Sequence, residues 1–383
     1  MLDLNNRDWA PFKISDLFQP ARGTEKNMTS LQVGDVPLIS ARNCDNGVKA
    51  FVSIPNERLH RSHAITLNND GDGGAGLAYY QPMEFALDTH VTDLRPRDSI
   101  GDLSRYAMQF VAASISKQRT LFGHGRSISL KRLNLLRVML PIDESSNPDW
   151  QFMEDYIRER EAIQVQRCRE FLMKRIADIE RERERERVID FELNSSSLFR
   201  RNWKSYPISQ IFDIRSGKRL ESRNREPGRR PFIGALDNSN GIAGFTADSN
   251  SSLDSNVLGV NYNGNGVCLG FYHPYECIFS DDVKRFHLKS SEGNEYIYLF
   301  LKVTIQQQKS KFGYLYKFNA TRMARQSIML PSANNGEPDL AFMETVGRTI
   351  TLRLLKRQMN YIEKLVFGRM ASFQRSSVLE GPE

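Results

Sequence analysis

Cysteine is scarce in this chain of 383 residues, which contains only Cys44, Cys168, Cys268 and Cys277. Their spacings include no Cys-x-x-Cys pair, so they predict neither a disulfide framework nor a zinc site, and we expect reduced thiols. The chain also lacks any apolar run of 18 or more residues, and its first residues lack the basic-then-apolar order of a signal peptide. These absences predict a cytoplasmic protein that does not associate with membranes.

Catalytic and cofactor-binding motifs are absent, incomplete or followed by the wrong predicted secondary structure. The chain has no H-E-x-x-H, no Walker lysine motif and no G-x-S-x-G. Residues 71–76 match G-x-G-x-x-G, but an alternating segment ending at Pro82 follows them where a dinucleotide site needs a helix, which indicates a hairpin turn. Residues 122–125 are similar to the F-x-G-x-G of S-adenosylmethionine enzymes, and residues 281–284 come nearest to a nuclease motif. Neither pattern is complete, which favours a binding protein without catalysis.

Charge points to a polyanionic partner. The formal net charge is +7 and the pI is about 9.2, a balance that favours nucleic acid. The basic residues crowd two short stretches: Lys117, Arg119, Arg126, Lys131, Arg132 and Arg137, and then Lys302, Lys309, Lys311, Lys317, Arg322 and Arg325. Because these stretches occupy equivalent positions of an internal repeat, we predict that both bind phosphate.

The repeat itself is the dominant pattern of the sequence. Trp9 returns as Trp203 and Phe18 returns as Phe212, in both cases 194 residues later. Further matches occur at offsets of 192 and 190, namely Tyr80 with Tyr272, Gly123 with Gly313, Pro141 with Pro331 and Asp149 with Asp339. A repeat of this length predicts that each copy is a domain with its own core.

Each copy has the same order of predicted elements. Short β-like runs come first, at residues 36–39, 64–67, 76–80 and 91–94, and again at 231–233, 257–260, 267–272 and 283–288. A helix follows, at residues 102–118 and again at 295–308, and then a polar loop and a strand that ends in Leu-Pro. The order predicts mixed α and β domains with a mainly antiparallel sheet.

A long helix is predicted after each domain. Asp149 and Asp339 both follow a proline and resemble helix start signals. Apolar residues then recur at coiled-coil spacing, namely Val165, Cys168, Leu172, Ile176 and Ile179, and Val346, Ile350, Leu354, Tyr361 and Leu365. We therefore predict an α+β protein with a domain at residues 1–147, a spacer helix at 148–192, a second domain at 193–337, a second helix at 338–370 and a tail at 371–383.

Residues that could read DNA need donors and acceptors for base edges, cations for phosphates and backbone freedom. The two basic loops and the first Asn-rich turns of each copy offer these groups. The candidates are Arg42, Asn43, Asn69, Lys117, Arg119, His124, Arg126 and Lys131 in the first copy, and Asn238, Asn261, Gln308, Lys309, Lys311, Tyr314 and Lys317 in the second.

The ordered motifs, present in duplicate, carry a family resemblance. Each copy contains W-x-x-x-x-[IL]-S-x-[IL]-F, a P-x-I run followed by N-G, a Gly/Asn turn, Y-x-P, L-P and a long helix. This order resembles the specificity subunits of type I restriction–modification systems and their relatives in type IIB systems, over about residues 9–366. The resemblance implies two target recognition domains that each read half of a bipartite site in double-stranded DNA.

Further properties follow from the same resemblance. It implies that the two helices pair as an antiparallel coiled coil and dock methyltransferase or fused methyltransferase–nuclease subunits. It also implies that this chain has no cofactor, and that S-adenosylmethionine and Mg²⁺ belong to the partner subunits. Two other hypotheses stay open on the sequence: a methyltransferase or nuclease in its own right, and a coiled-coil scaffold without a DNA role.

Overall fold

The computed structural model describes residues 1–26, 30–71, 74–122, 126–185, 198, 200–263, 266–313 and 316–378. Two compact units make up the chain, Met1–Cys168 and Arg169–Glu383. Each unit has its own sheets and its own hydrophobic core. This division agrees with the two domains that the repeat predicts, and the units are described one at a time below.

The strands and helices come in the same order in both units. The first unit contains β1 Trp9–Lys13, α1 Ile14–Leu17, β2 Phe18–Arg22, β3 Gln32–Ile39, β4 Val48–Ser53, β5 Ala64–Asn68, β6 Ala78–Gln81, β7 Ala86–Leu87, β8 Val91–Pro96, α2 Arg105–Ser116, α3 Leu130–Leu135 and β9 Arg137–Pro141. Helix α4 spans Trp150–Arg185. The second unit contains β10 Trp203–Pro207, α5 Ile208–Ile211, β11 Phe212–Ser216, β12 Arg230–Ile233, β13 Ile242–Thr246, β14 Val257–Asn261, β15 Gly270–His273, β16 Ile278–Phe279, β17 Val283–Leu288, α6 Glu295–Gln306, α7 Ala320–Arg325, β18 Ser327–Pro331 and α8 Leu340–Val378.

The sheets are mainly antiparallel, as predicted. In the first unit the four-stranded sheet has the order β2-β8-β5-β6, and a three-stranded sheet has the order β4-β3-β7 with β3 and β7 parallel. The second unit repeats this topology as β11-β17-β14-β15 and β13-β12-β16. The Trp and Leu-Pro motifs form a separate two-stranded pair, with Trp9 opposite Pro141 and Trp203 opposite Pro331. The spacing of these motifs in the sequence therefore reflects a strand pair that closes each domain.

One amphipathic helix covers the four-stranded sheet in each unit. In α2 the residues Met108, Val111 and Ile115 recur every three or four positions and are buried, which gives one apolar face toward the core. The Ser104 hydroxyl caps α2 by accepting from the Ala107 amide, and Asn294 caps α6 in the same way. Both helices were predicted from the sequence, and both are confirmed with slightly shorter ends.

The long helices begin where the Pro-Asp signals predict. A carboxylate oxygen of Asp149 accepts a hydrogen bond from the Phe152 amide at 2.9 Å, and Asp339 accepts from Phe342 at 3.0 Å. Helix α4 is described as far as Arg185, so residues 186–192 of the predicted spacer lie outside the described residues. Helix α8 continues to Val378, past the predicted boundary at residue 370. Most of the predicted tail is thus helical, and residues 379–383 lie outside the described residues.

Within the second unit, the end of α4 pairs with α8 in the opposite direction. Ile179 is fully buried in a cluster with Leu352, and the Lys356 ammonium lies 2.6 Å from a Glu180 carboxylate oxygen. Seven residues earlier on α4, Leu172 lines a groove together with Tyr361. A step backward along α4 thus corresponds to a step forward along α8, which confirms the antiparallel pairing.

The predicted apolar seam of α8 is wrong in most of its members. Ile350, Leu354 and Tyr361 are 42%, 58% and 56% exposed, whereas the buried apolar side chains are Val346, Leu352, Met359 and Ile362. The cause is a second neighbour, because α8 also packs against α6. A Cβ atom on Gly347 would lie 2.4 Å from the Tyr296 carbonyl oxygen. Contact with two helices rotates the buried stripe away from a simple coiled-coil seam.

Candidate nucleic-acid interface

Three loops meet at one edge of the first unit. We call them the first loop (residues 40–47), the second loop (69–77) and the third loop (117–129). The Asn68 side-chain amide donates to the Arg42 carbonyl at 2.8 Å and to the Gly74 carbonyl at 3.1 Å, so it joins the first loop to the second. The Ile128 amide donates to the Asn69 carbonyl at 2.7 Å and joins the third loop to the second. Asn68, at the end of β5, and the adjacent Asn69 thus join all three loops.

The second unit builds the same arrangement from different loop sequences. Its first, second and third loops are residues 234–241, 262–269 and 307–319. The Asn261 side-chain amide donates to the Leu236 carbonyl at 2.6 Å, and the Phe318 amide donates to the Tyr262 carbonyl at 3.2 Å. Asn68 and Asn261 are both the last residue of a buried strand. The repeat therefore preserves this hydrogen-bonded link between a strand end and the loops, which we call the joint. The rest of each loop sequence differs between the units.

The second and third loops approach so closely at Gly76 that a side chain would not fit. Gly76 has a φ of +80°, and a Cβ atom there would lie 2.8 Å from Arg119 Cα and 2.8 Å from Phe122 Cδ2. The corresponding residue of the second unit is Cys268, which is buried and has a φ of 66°. Few residues other than glycine adopt this left-handed conformation. The surrounding contacts hold the second loop in this shape in both units.

The third loop of the second unit forms a basic pocket of about 590 Å³. The Arg322 guanidinium lies 3.8 Å from the centre of the Tyr316 ring and donates to the Lys317 carbonyl at 2.7 Å. The Lys311 ammonium donates to Oε1 of Gln308 at 2.7 Å. These contacts orient two cations toward the same pocket, where a phosphate group would find charge and hydrogen-bond donors.

The third loop of the first unit is anchored in the same way, by an arginine side chain that donates to a loop carbonyl. The Arg132 guanidinium donates to the Ser127 carbonyl at 2.7 Å, in the same geometry as Arg322 with Lys317. The Ser129 hydroxyl accepts from the Arg132 amide and caps α3, as Asn319 caps α7. The anchor holds the basic residues of this loop on the surface, where they are exposed.

The structure places most of the predicted DNA-binding residues on these three loops. Arg42 is half-buried and forms an ion pair with Asp45 at 2.8 Å. Gln308 and Lys317 are also half-buried. The exposed candidates are Asn43, Lys117, Arg119, Arg126, Lys131, Asn238, Lys309 and Lys311. His124 and Tyr314 lie outside the described residues.

Two predicted contact residues are corrected by their burial. Asn69 and Asn261 are each 1% exposed, so their side chains do not reach a ligand at the surface. Asn69 accepts a hydrogen bond from the Thr92 hydroxyl at 2.8 Å, and Asn261 holds the first loop as described above. The prediction of direct DNA contact is therefore wrong for both, because polarity in a turn sequence serves loop geometry here.

The residues that hold the loops were not predicted from the sequence. The strands align Asn68 with Asn261, and Asn68 was not among the predicted contact residues. Arg132 and Arg322 were predicted only as phosphate-binding charges, although both hold a loop. A residue-by-residue alignment of the two copies would have found all four, since Asn and Arg recur at these positions.

Other chemistry is sparse among the described residues. All four cysteines are free, and burial raises the pKa of Cys268 and of Cys277 to about 12, which leaves both thiols protonated and unreactive. In the described ranges, no three His, Cys, Asp or Glu side chains are grouped as metal ligands. The helices described also include none that is long and apolar enough to span a membrane.

Comparison with known proteins decides the family. The family model described as the type I restriction modification DNA specificity domain matches this chain twice, at residues 6–168 and 200–364. The chain belongs to this family. It is thus a restriction–modification specificity subunit, a class of protein that recognises DNA sequence and is not itself catalytic. This result confirms the predicted family and function, and it decides against the enzyme and scaffold hypotheses.

Individual relatives agree with the assignment. The specificity subunit S.BcgI of a type II restriction enzyme from Heyndrickxia coagulans is 36% identical over 354 residues, which cover 89% of this chain and 96% of the relative. Among solved structures, the S subunit of a type I restriction–modification system from M. genitalium is 16% identical, with a TM-score of 0.44 over 99% of this chain and 97% of that one. That superposition is loose, so the assignment rests on the family model and on S.BcgI.

Proposed function

We propose that each unit of this specificity subunit reads one half of a bipartite site in double-stranded DNA, with its three joined loops as the reading surface. The observation that carries the proposal is the duplication of the joint: Asn68 and Asn261 fix the same loops, while the loop sequences differ. A protein that must place variable side chains against base edges needs a fixed frame beneath them.

The third loops supply the contacts to the DNA backbone. Arg119 and Lys309 each open a single 3₁₀ turn in the corresponding position, and both are exposed. Cations placed in this way neutralise phosphates, which gives affinity without sequence preference. Asn43 and Asn238 in the first loops are exposed amides, which can both donate to and accept from a base edge.

The long helices α4 and α8 set the separation of the two half-sites and carry the partner subunits. A groove of about 760 Å³ next to the helix pair is lined by Leu172, Leu299, Leu354, Leu355 and Tyr361. Leu354 and Tyr361 are more than half exposed, as expected of apolar residues that a partner covers. Methyltransferase or fused methyltransferase–nuclease subunits dock here, and they hold S-adenosylmethionine and Mg²⁺.

A domain exchange tests the two-reader proposal. Residues 203–331 are replaced by the matching domain of another family member, and the methylated sequences are mapped in a host that carries the partner subunits. We expect one half of the recognised sequence to change while the other half and the spacer stay the same. A change in both halves together, or a continuous site without a spacer, contradicts the proposal. Insertion of four residues near Ile176 should lengthen only the spacer, since four residues add about one helical turn.

A further inference from the structure

A pocket of about 440 Å³ lies between the first and second loops of the second unit. Gly234 and Ala235, two small residues of the first loop, line it. Asn263, Asp281 and Asp282 also line it, and we call these three residues the acceptor wall. Tyr262, next to Asn263, accepts a hydrogen bond from the Phe318 amide, so the second loop links this pocket to the third loop.

The acidic wall of this pocket presents hydrogen-bond acceptors. The Asn263 side-chain amide donates to Oδ1 of Asp282 at 3.1 Å, which directs the Asn263 carbonyl oxygen elsewhere. That oxygen and the Ser280 hydroxyl are buried and have no hydrogen-bond partner among the described residues. Asp281 likewise has no hydrogen bond or ion pair in the part of the chain that the structure describes. Asp281 and Asp282 are half-buried, and carboxylate oxygens without a donor favour a ligand that brings N–H groups.

Three cations lie near this wall. The Lys284 ammonium interacts electrostatically with Asp281 and Asp282, but its hydrogen bond goes to the Ser216 hydroxyl at 2.9 Å. Arg219 and Arg225 also line the pocket; Arg219 pairs with Glu221 at 3.6 Å, and the Arg225 guanidinium stacks on Phe232 and donates to the Leu220 carbonyl. The hydrogen bonds of these cations thus go to other groups, which leaves the Asp281 oxygens open to a donor. Carboxylates on a DNA-binding face repel phosphates, and they are favourable only opposite a donor.

The first unit has the opposite chemistry at the same positions. His90 occupies the place of Asp282, and its Nδ1 lies 2.8 Å from a carboxylate oxygen of Asp70, the counterpart of Asn263. The Ser40 hydroxyl, at the place of Gly234, donates to Asp88 at 2.7 Å. The first unit thus offers an exposed imidazole where the second offers an acceptor wall. The difference is confined to the reading surface, since the joint beneath it is shared.

We propose that the acceptor pocket of the second unit receives a base with an exocyclic amino group, adenine or cytosine, on the major-groove side of its half-site. In that groove adenine presents its N6 amino group and cytosine its N4 amino group, whereas guanine and thymine present oxygen acceptors at the equivalent place. The acceptor wall binds the first pair and repels the second. This inference rests on the proposed role of the second unit as reader of one half-site.

The test uses the full chain with its partner subunits and duplexes in which single amino groups are deleted. Purine replaces adenine, or 2-pyrimidinone replaces cytosine, one position at a time in the half-site of the second unit. The unaltered protein should lose about 10-fold in methylation rate at one of these positions, the effect of a lost base-edge contact. Asp281→Asn should be insensitive to the deletion there and should accept guanine or thymine, because its amide can donate.

Controls separate this inference from the proposed function. Asp213→Asn changes a carboxylate that pairs with Arg215 on β11, away from the pocket, and should respond to every deletion as the unaltered protein does. If the unaltered protein recognises a bipartite site but Asp281→Asn keeps the same preference and the same response to deletions, the pocket does not read a base. If the unaltered protein recognises no bipartite site, the proposed function itself fails.

Discussion

The two units contain a partly buried group of one carboxylate, one guanidinium and one imidazole at the same place, but with the residue types exchanged between positions. In the first unit Asp93 is the central acid, with His60 Nδ1 at 2.8 Å and Arg95 Nη2 at 3.0 Å. In the second unit Asp254 is the acid, with Arg285 at 2.8 Å and His287 at 2.9 Å. The matching positions are His60 and Asp254, Asp93 and Arg285, and Arg95 and His287.

This exchange shows what the fold that both units share requires at this place. Every member of the group differs between the units, yet each group still joins one carboxylate, one guanidinium and one imidazole. At this place the fold demands a matched set of ionisable groups and does not demand a particular residue at each position. On the reading surface the His90–Asp70 pair of the first unit is replaced by the Asp282–Asn263 pair of the second, so an imidazole and a carboxylate give way to a carboxylate and an amide. We infer that exchanges that keep the same set of groups belong to the fold, and that exchanges that change the set belong to recognition.

Removal of the acid should give the largest effect. Asp254→Ala leaves Arg285, which is 7% exposed, as a buried charge without its carboxylate, and should destabilise the second unit by about 3 to 5 kcal/mol. The measurement is denaturant unfolding of the full chain. The matched control copies the first unit through the triple change Asp254→His, Arg285→Asp and His287→Arg. If that triple variant is as unstable as Asp254→Ala, the second unit requires these particular residues, and the inference is wrong.

Loss of the loop joint should have a smaller effect that differs between the units. Asn68 donates two hydrogen bonds and Asn261 donates one. Asn68→Ala should therefore destabilise by about 1 to 3 kcal/mol, and Asn261→Ala by less. Hydrogen exchange of the first-loop amides should quicken in each variant, whereas Asn43→Ala, at an exposed position, should leave it unchanged. Equal destabilisation by Asn68→Ala and Asn261→Ala would contradict the expected difference between the units.

The cations of the third loops should act alike in the two units. Arg119→Ala and Lys309→Ala should each weaken DNA binding for all sequences and lower the salt slope of binding by about 1. Binding is measured at several salt concentrations on specific and unrelated duplexes. Lys309→Arg keeps the charge and should keep the slope. A change in sequence preference instead of slope would assign the residue to base reading.

The smallest expected difference is a pH dependence confined to the first unit. The hydrogen bond to Asp70 raises the pKa of His90 above its usual value, with Asp88 adding to the shift and burial and Arg22 opposing it. The positive charge is present below this raised pKa and is lost as the pH rises through it. DNA affinity should therefore fall as the pH rises above the ordinary histidine pKa of about 6.5. His90→Gln should flatten this dependence, whereas Asp282→Asn in the second unit should leave it in place.

Several features could be predicted because they depend on neighbours in sequence or on the repeat. Asp149 and Asp339 cap their helices through amides three residues away, so local sequence is sufficient. The recurrence of the same elements in both units follows from the matching register of the copies. The buried stripe of α8 could not be predicted from its own spacing, because the approach of Gly347 to Tyr296 depends on how a separate helix is placed.

The sequence alone determined that the chain contains two copies of one mixed domain, that each is followed by a long helix, and that basic loops recur in both. These properties follow from periodicity and capping, which act over short distances along the chain, and from the direct comparison of the two copies. Only the tertiary structure decided which polar residues face outward. Asn69 and Asn261 resemble surface residues in sequence, but they lie in the interior. There the Asn261 amide satisfies the Leu236 carbonyl and the Asn69 side-chain oxygen accepts from the Thr92 hydroxyl, because polar groups inside a fold need hydrogen-bond partners.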